Sequence, residues 1–142
     1  MEVVRLHDEL AQMQKLKLNG FCCSSIIIAM GLKLRGEENE QFVNAAKLLC
    51  HGMFSGLNCG ALTGAVCTLG LFEDHDTEMA KDLVFWFQHE LCAKYGSINC
   101  SDITGDNPYN KAVICPVLIR ETYLHVKQLL AENGYIAGDG QE

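Results

Sequence analysis

Apolar residues recur at three- and four-residue intervals along almost the whole chain, and no stretch alternates cleanly enough between apolar and polar to make a strand. That pattern predicts helices throughout. Val3, Leu6, Leu10 and Met13 form one stripe over residues 2 to 18, and Asn19-Gly20 supplies a stop. A second helix is expected from about Cys23 to Leu34, ending at Arg35-Gly36. A third is expected from about Asn39 to His51, with Phe42, Ala45, Ala46 and Leu49 on one side. Residues 52–56 read as a loop. Asn58 offers an N-cap for a fourth helix, Cys59 to about Phe72. Its Gly60, Ala61, Gly64 and Ala65 let another backbone approach closely, which predicts a central, buried helix.

Asp76 caps a fifth helix bearing Met79, Leu83, Phe87 and Leu91 and ending at Tyr95-Gly96. Ser97 to Pro108 reads as a turn-rich connector with one short helical turn, and a final helix runs to Asn133-Gly134. Pro116 lacks an amide donor and suits a first helical turn, so Cys115 is expected to precede or open that helix, with Pro108 to Ile114 as a separate short turn. Together these elements predict an all-α fold, a single helical bundle of about five to six helices. One domain is expected over residues 1–142, with an N-terminal helix at 1–19 and a flexible tail at 135–142. The 142 residues, 49% hydrophobic, suit a core that removes roughly two thirds of the unfolded chain's surface from water. No repeat or low-complexity tract divides the chain.

The net charge of −7 disfavours nucleic acid, which demands a basic face. The N-terminus has no basic leader followed by an apolar run, and the longest apolar stretch, Ile26 to Met30, is far too short to cross a bilayer. The expectation is a soluble, cytoplasmic protein with neither nucleic-acid nor membrane partner. An acidic electron carrier that docks on a basic partner fits this charge.

Eight cysteines then need a reason, because cytosolic thiols are kept reduced and a disulfide framework is a poor first expectation there. Four share a setting. Cys23 opens the second helix, Cys59 follows Asn58 and opens the fourth, Cys100 follows Asn99 in the connector, and Cys115 stands before Pro116. A helix start aims free N–H groups and the positive end of its dipole at such a sulfur, which favours thiolate, the form that ligates metal or attacks as a nucleophile. Gly60 keeps the backbone accessible for N–H contacts to sulfur. Cys67 and Cys92, within helices, read as structural thiols that pack like small hydrophobes. Cys22 cannot easily face the same way as Cys23. Cys50, before His51, is the natural substitute if one of the four is not a ligand, and His51 is the one histidine close in sequence to the site. His7, His75, His89 and His125 read as surface residues, and no arrangement suggests a hydrolytic triad. Glu37-Glu38 and Glu73-Asp74 read as solvated charge clusters.

Cys23, the segment Cys59-Gly60-Ala61-Leu62-Thr63-Gly64, Cys100 and Cys115 resemble the redox-active family named for its C_GCAxxG_C_C pattern. The likeness covers about residues 20 to 130, with the order Cys59-Gly60-Ala61 where the family label reads Gly-Cys-Ala. The resemblance implies a helical domain, anaerobic redox biology and a four-cysteine site. A similar domain occurs in split-Soret-type cytochromes, where an iron–sulfur centre accompanies the haems. No Cys-x-x-Cys-His is present for covalent haem.

The gaps between the four cysteines are far longer than the Cys-x2-Cys knuckles of zinc sites and bacterial ferredoxins, so the fold itself must assemble the site. Four thiolates match a [2Fe–2S] or [4Fe–4S] iron–sulfur cluster used in electron transfer or redox sensing with a redox partner protein. Cys23, Cys59, Cys100 and Cys115 would be the metal ligands, and Gly60 would line the cofactor. The alternatives are a metal-free thiol–disulfide oxidoreductase using two of the same cysteines, structural zinc, or an accessory protein passing on metal or sulfur. A homodimer is compatible with a site near the bundle surface.

Overall fold

The computed structural model describes residues 2–137, with side chains from residue 6 onward. It is all-α. Among the described residues seven α-helices follow in order: α1 Glu2–Leu18, α2 Cys23–Leu34, α3 Glu40–Ala46, α4 Gly60–Phe72, α5 Thr77–Trp86, α6 Cys100–Thr104 and α7 Pro108–Glu132. No strand occurs among the described residues. No described helix is long and apolar enough to cross a membrane.

α4 is the central helix, and α2 lies along it. A Cβ on Gly64 would stand 2.8 Å from both Cα and the carbonyl oxygen of Ser24, and one on Gly31 would collide with the Thr68 side chain. Neither helix could sit so close with larger residues at these points. The approach seals Ile26, Ile27, Ala61 and Ala65 from water, and each buried isoleucine contributes about 1.5–3 kcal/mol. α5, the π turn that follows it and α7 complete the main core with Met79 and Leu83, Phe87, and Val126 and Leu130. α3 closes a smaller cluster on the other side, around Ile28, Leu32 and Val43. α1 is tied to α7 by a buried ion pair, in which Lys127 Nζ donates to Glu9 Oε1 at 2.8 Å while the Tyr123 hydroxyl donates to Glu9 Oε2. Removing one member of such a pair typically costs about 3–5 kcal/mol.

Four boundaries differ from the expected ones. The fifth helix leaves α geometry after Trp86 and reaches Gly96 through a π turn over Phe87–Leu91 and a 3₁₀ turn over Ala93–Tyr95. The third helix stops at Ala46 rather than His51: a 3₁₀ turn follows over Lys47–Leu49, and then His51, Gly52, Met53 and Phe54 all take left-handed backbone, with φ of 54°, 60°, 61° and 54°. A side chain on Gly52 would strike the backbone of Leu57, so only glycine fits there. The fourth helix is capped by Cys59 rather than Asn58, which instead pairs with Asn99 in a short antiparallel bridge.

The last helix begins at Pro108, so Cys115 lies inside it and not at its start. The Asn107 side chain caps it, accepting from the Tyr109 and Asn110 amides at 2.8 and 3.3 Å. With Pro108 in the first turn, this is a stronger start signal than Pro116. Pro116 removes one hydrogen bond, and the carbonyl left over belongs to exposed Ala112, where water can satisfy it. Of the tail expected at 135–142, Tyr135 and Ile136 pack on the core, and 138–142 lie outside the described residues.

Gly64→Ala tests the crossing of α2 and α4. Alanine gains up to ~1 kcal/mol in helix propensity, but its methyl meets the rigid backbone of Ser24. The expected outcome is a net loss of about 1–3 kcal/mol, read as a lowered urea midpoint by circular dichroism.

Candidate functional site

Three of the four singled-out cysteines do sit at helix starts: Cys23 is the first residue of α2, Cys59 caps α4, and Cys100 is the first residue of α6. The bridge between Asn58 and Asn99 aligns two of them. The Cys59 amide donates to the Ile98 carbonyl at 2.8 Å and the Cys100 amide to the Leu57 carbonyl at 2.7 Å, so the two cysteines leave adjacent strands of backbone. The close crossing of α2 and α4 supplies the third. A Cβ on Gly60 would stand 3.0 Å from Cys23 Sγ and 3.1 Å from the Leu49 carbonyl oxygen, which makes Gly60 the spacer between Cys23 and α4. α7 packs across α2 and α4 and brings Cys115 to the same place. Cys23, Cys59, Gly60, Cys100 and Cys115 all line one cavity of about 410 Å³.

Ile26, Ile103, Leu118 and Ile119 make its apolar wall, and exposed Lys17, exposed His51 and half-buried Lys111 stand at its edge. All four cysteines are unpaired. No three ligand atoms of cysteine, histidine or carboxylate in this cavity lie within 4.8 Å of one another; among the described residues only half-buried Glu73 with exposed Asp74 and His75 meets that spacing.

The family described as "Putative redox-active protein (C_GCAxxG_C_C)" matches residues 21–129, more than half of the chain and a span that contains these four cysteines. The chain belongs to this redox-active family. No curated protein and no solved structure matches it.

Within this family member, burial governs the thiols. It pushes Cys23 up, against the opposing amides of His51 and Ser24. It pushes Cys59 up as well, helped by the neighbouring Cys23 sulfur and opposed by the amides of Ala61 and Leu62. Cys115 is pushed up to about 11, first by burial and then by Cys23 and Cys100, while Lys17 and Lys111 pull the other way. The helix starts therefore do aim N–H groups at sulfur, as expected, but desolvation outweighs them and these thiols hold their protons when metal-free.

Several features were not legible beforehand. Lys17, in the last turn of α1, reaches the cavity because that helix ends beside α2. Cys22 and Cys50, expected to be reduced, lie at disulfide distance, with their Cα atoms 6.1 Å apart. Cys22 faces the cavity alongside Cys23 after all. His51 sends its backbone amide toward Cys23, and its ring packs on Phe54 at 5.2 Å. His125 is half-buried and stacked on Trp86 at 3.9 Å rather than a free surface residue, and burial lowers its pKa. Cys92 is fully buried in the main core and Cys67 half-buried beside the smaller one, both away from the cavity.

In metal-free protein, Cys115 should be alkylated at pH 7 roughly a hundredfold more slowly than a free cysteine, as about two pKa units require. Replacing Lys17 and Lys111 with glutamine should slow it further, because the lost positive charges stabilised the thiolate. Because the folded pKa lies above the unfolded 9.0, this thiol stabilises the metal-free fold fully below pH 9. That contribution is lost as pH rises toward 11. Mass spectrometry of alkylated peptides against pH checks the first expectation, and urea midpoints between pH 8 and about 11 check the second.

Proposed function

We propose that this chain holds an iron–sulfur cluster, [2Fe–2S] or [4Fe–4S], through Cys23, Cys59, Cys100 and Cys115, and works as a one-electron carrier or redox sensor. The observation that carries this reading is the convergence of four cysteines from four separate segments on one apolar-walled cavity, in a member of a redox-active family. Four sulfurs match the ligand number. Bound there, a cluster would supply a one-electron couple, with Cys23, Cys59 and Cys115 giving up the protons that burial holds on them in the metal-free chain.

No three ligand atoms in the cavity lie within 4.8 Å of one another, so the metal-free chain holds no preformed tetrahedral zinc site, whose thiolates would stand about 3.8 Å apart. The amides of His51 and Ser24 address Cys23, and those of Ala61 and Leu62 address Cys59. Hydrogen bonds of this kind raise the potential of the group they surround, as do the positive charges of Lys17 and Lys111. The isoleucine and leucine walls exclude water. A thiol–disulfide oxidoreductase built from two of these four is less well supported, because none of them is paired and a buried thiol is a weak nucleophile. The likeness to the iron–sulfur domain of split-Soret-type cytochromes agrees with the cluster reading. In the same reading the chain is one domain that acts in the cytoplasm under anaerobic conditions, passing electrons to or from a redox partner protein, and a homodimer is compatible with it.

Anaerobically purified protein should be brown and contain iron and acid-labile sulfide in equal amounts. Serine at 23, 59, 100 or 115 should abolish retention, whereas serine at 67 or 92 should cost mainly stability. Gly60→Ala, which presses on Cys23 Sγ, should weaken retention about tenfold or more. Protein that stays colourless after reconstitution with iron and sulfide would overturn the assignment.

A further inference from the structure

We propose that Cys22 and Cys50 form a second, reversible thiol–disulfide centre whose closed form clamps the wall of the four-cysteine cavity. The two sulfurs lie at disulfide distance, and their Cα separation of 6.1 Å falls within the ordinary range for a bridge. Their exposures differ in a useful way. Cys50 is fully buried, while Cys22 is half-buried and borders the cavity, so an external thiol meets Cys22 first.

The surroundings of Cys50 suit the reduced product. Ser24 Oγ, itself fully buried, donates to the Ala46 carbonyl at 2.7 Å and lies 3.0 Å from Cys50 Sγ. With the serine proton committed to Ala46, a reduced Cys50 S–H can donate to the serine oxygen. While Cys50 is leaving as a thiolate, the same hydroxyl can turn to stabilise it. The reductant is a dithiol. One of its thiols loses its proton to water and attacks Cys22 Sγ, forming a mixed disulfide as the Cys22–Cys50 bond breaks, and Cys50 takes up a proton from water. The second thiol of the reductant then displaces Cys22. Two electrons and two protons have moved: the reductant ends as a disulfide and both cysteines as thiols.

The link to the cavity is covalent on both sides. Cys22 precedes Cys23, and Cys50 precedes His51, whose amide addresses the Cys23 sulfur. His51, Met53 and Phe54 hold left-handed backbone, which is unfavourable for residues with a side chain and persists only where the surroundings enforce it. The bridge fixes the start of that turn to the start of α2. α4 rests on the same segment, since a Cβ on Gly60 would stand 3.3 Å from Cys50 Cα. Opening the bridge frees the turn and with it one wall of the site. Only the effect on a bound group rests on the cluster reading; the thiol chemistry and the response of the turn belong to the metal-free chain.

Metal-free wild-type protein is therefore the material to test. Titrated with mixtures of reduced and oxidised dithiothreitol and trapped by alkylation, residues 22 and 50 should become modified together in one two-electron transition. Hydrogen exchange of the amides at 51–57 should be about tenfold faster in the reduced protein. The C22S/C50S double variant should show the fast rate at every potential, and Ser24→Ala should favour the disulfide by removing the acceptor of the Cys50 thiol. The wild-type titration needs no substitution and stands even if a variant fails to fold. Independent modification of the two cysteines, or equal exchange at 51–57 in both states, would overturn the proposal. A chain that takes up no iron and sulfide, yet whose pair titrates and whose turn responds, would remove the cluster assignment and leave this one standing.

Discussion

The close approach of α2 and α4, backbone against backbone where Ser24 meets Gly64, sets the positions of the elements around the cavity. Gly31, Gly60 and Gly64 remove side chains at three successive contact points, and Ser24 presses directly on Gly64. That contact holds Cys23 one residue from Ser24 and places it over Gly60, beside Cys59. A wider crossing would part these two sulfurs and open the seam through which Ile26 and Ile27 are kept dry. Small residues on α4 thus serve the core and the site through one geometry, because the cavity is the continuation of the helix seam beyond its tightly packed middle.

Electrostatically the cavity is a compromise between burial and a sparse set of compensating groups. An apolar wall raises the cost of charge on sulfur, and the backbone amides together with two lysines offset part of it. In a chain of net charge −7, lysines at 17 and 111 beside one site are a local reversal of sign. The balance leaves Cys23, Cys59 and Cys115 as neutral thiols in the metal-free protein, which differs from an activated nucleophile, whose environment lowers its pKa.

The amino-acid pattern revealed the helices where local chemistry and tertiary packing agree. α1 and α2 run as expected from their apolar stripes and the glycines behind them, and Asp76 caps α5 through the Met79 amide at 3.0 Å. The centrality of α4 followed from its small residues. Local signals misled where two competed: Pro116 suggested a helix start, but Asn107-Pro108 supplies a better one, and packing carries α7 through the proline. Asn58 had the right chemistry for a cap but is drawn off to Asn99. The convergence of four cysteines could be anticipated from their shared settings and the family resemblance, although Cys115 arrives by a route other than a helix start. The Cys22–Cys50 pairing left no local trace, since it depends on how α3 turns back, and the left-handed run at 51–54 that makes the turn is visible in sequence only as Gly52.

The wide scatter of the cavity's sulfurs along the chain also fixes when the site can come into being. Cys23 leaves the ribosome 92 residues (115 − 23) before Cys115, and the fourth wall is on α7. Until that helix has emerged and docked, the other three sulfurs face an open trough rather than an enclosed chamber. The enclosed chamber therefore comes into being only when α7 docks, whatever order the earlier helices fold in.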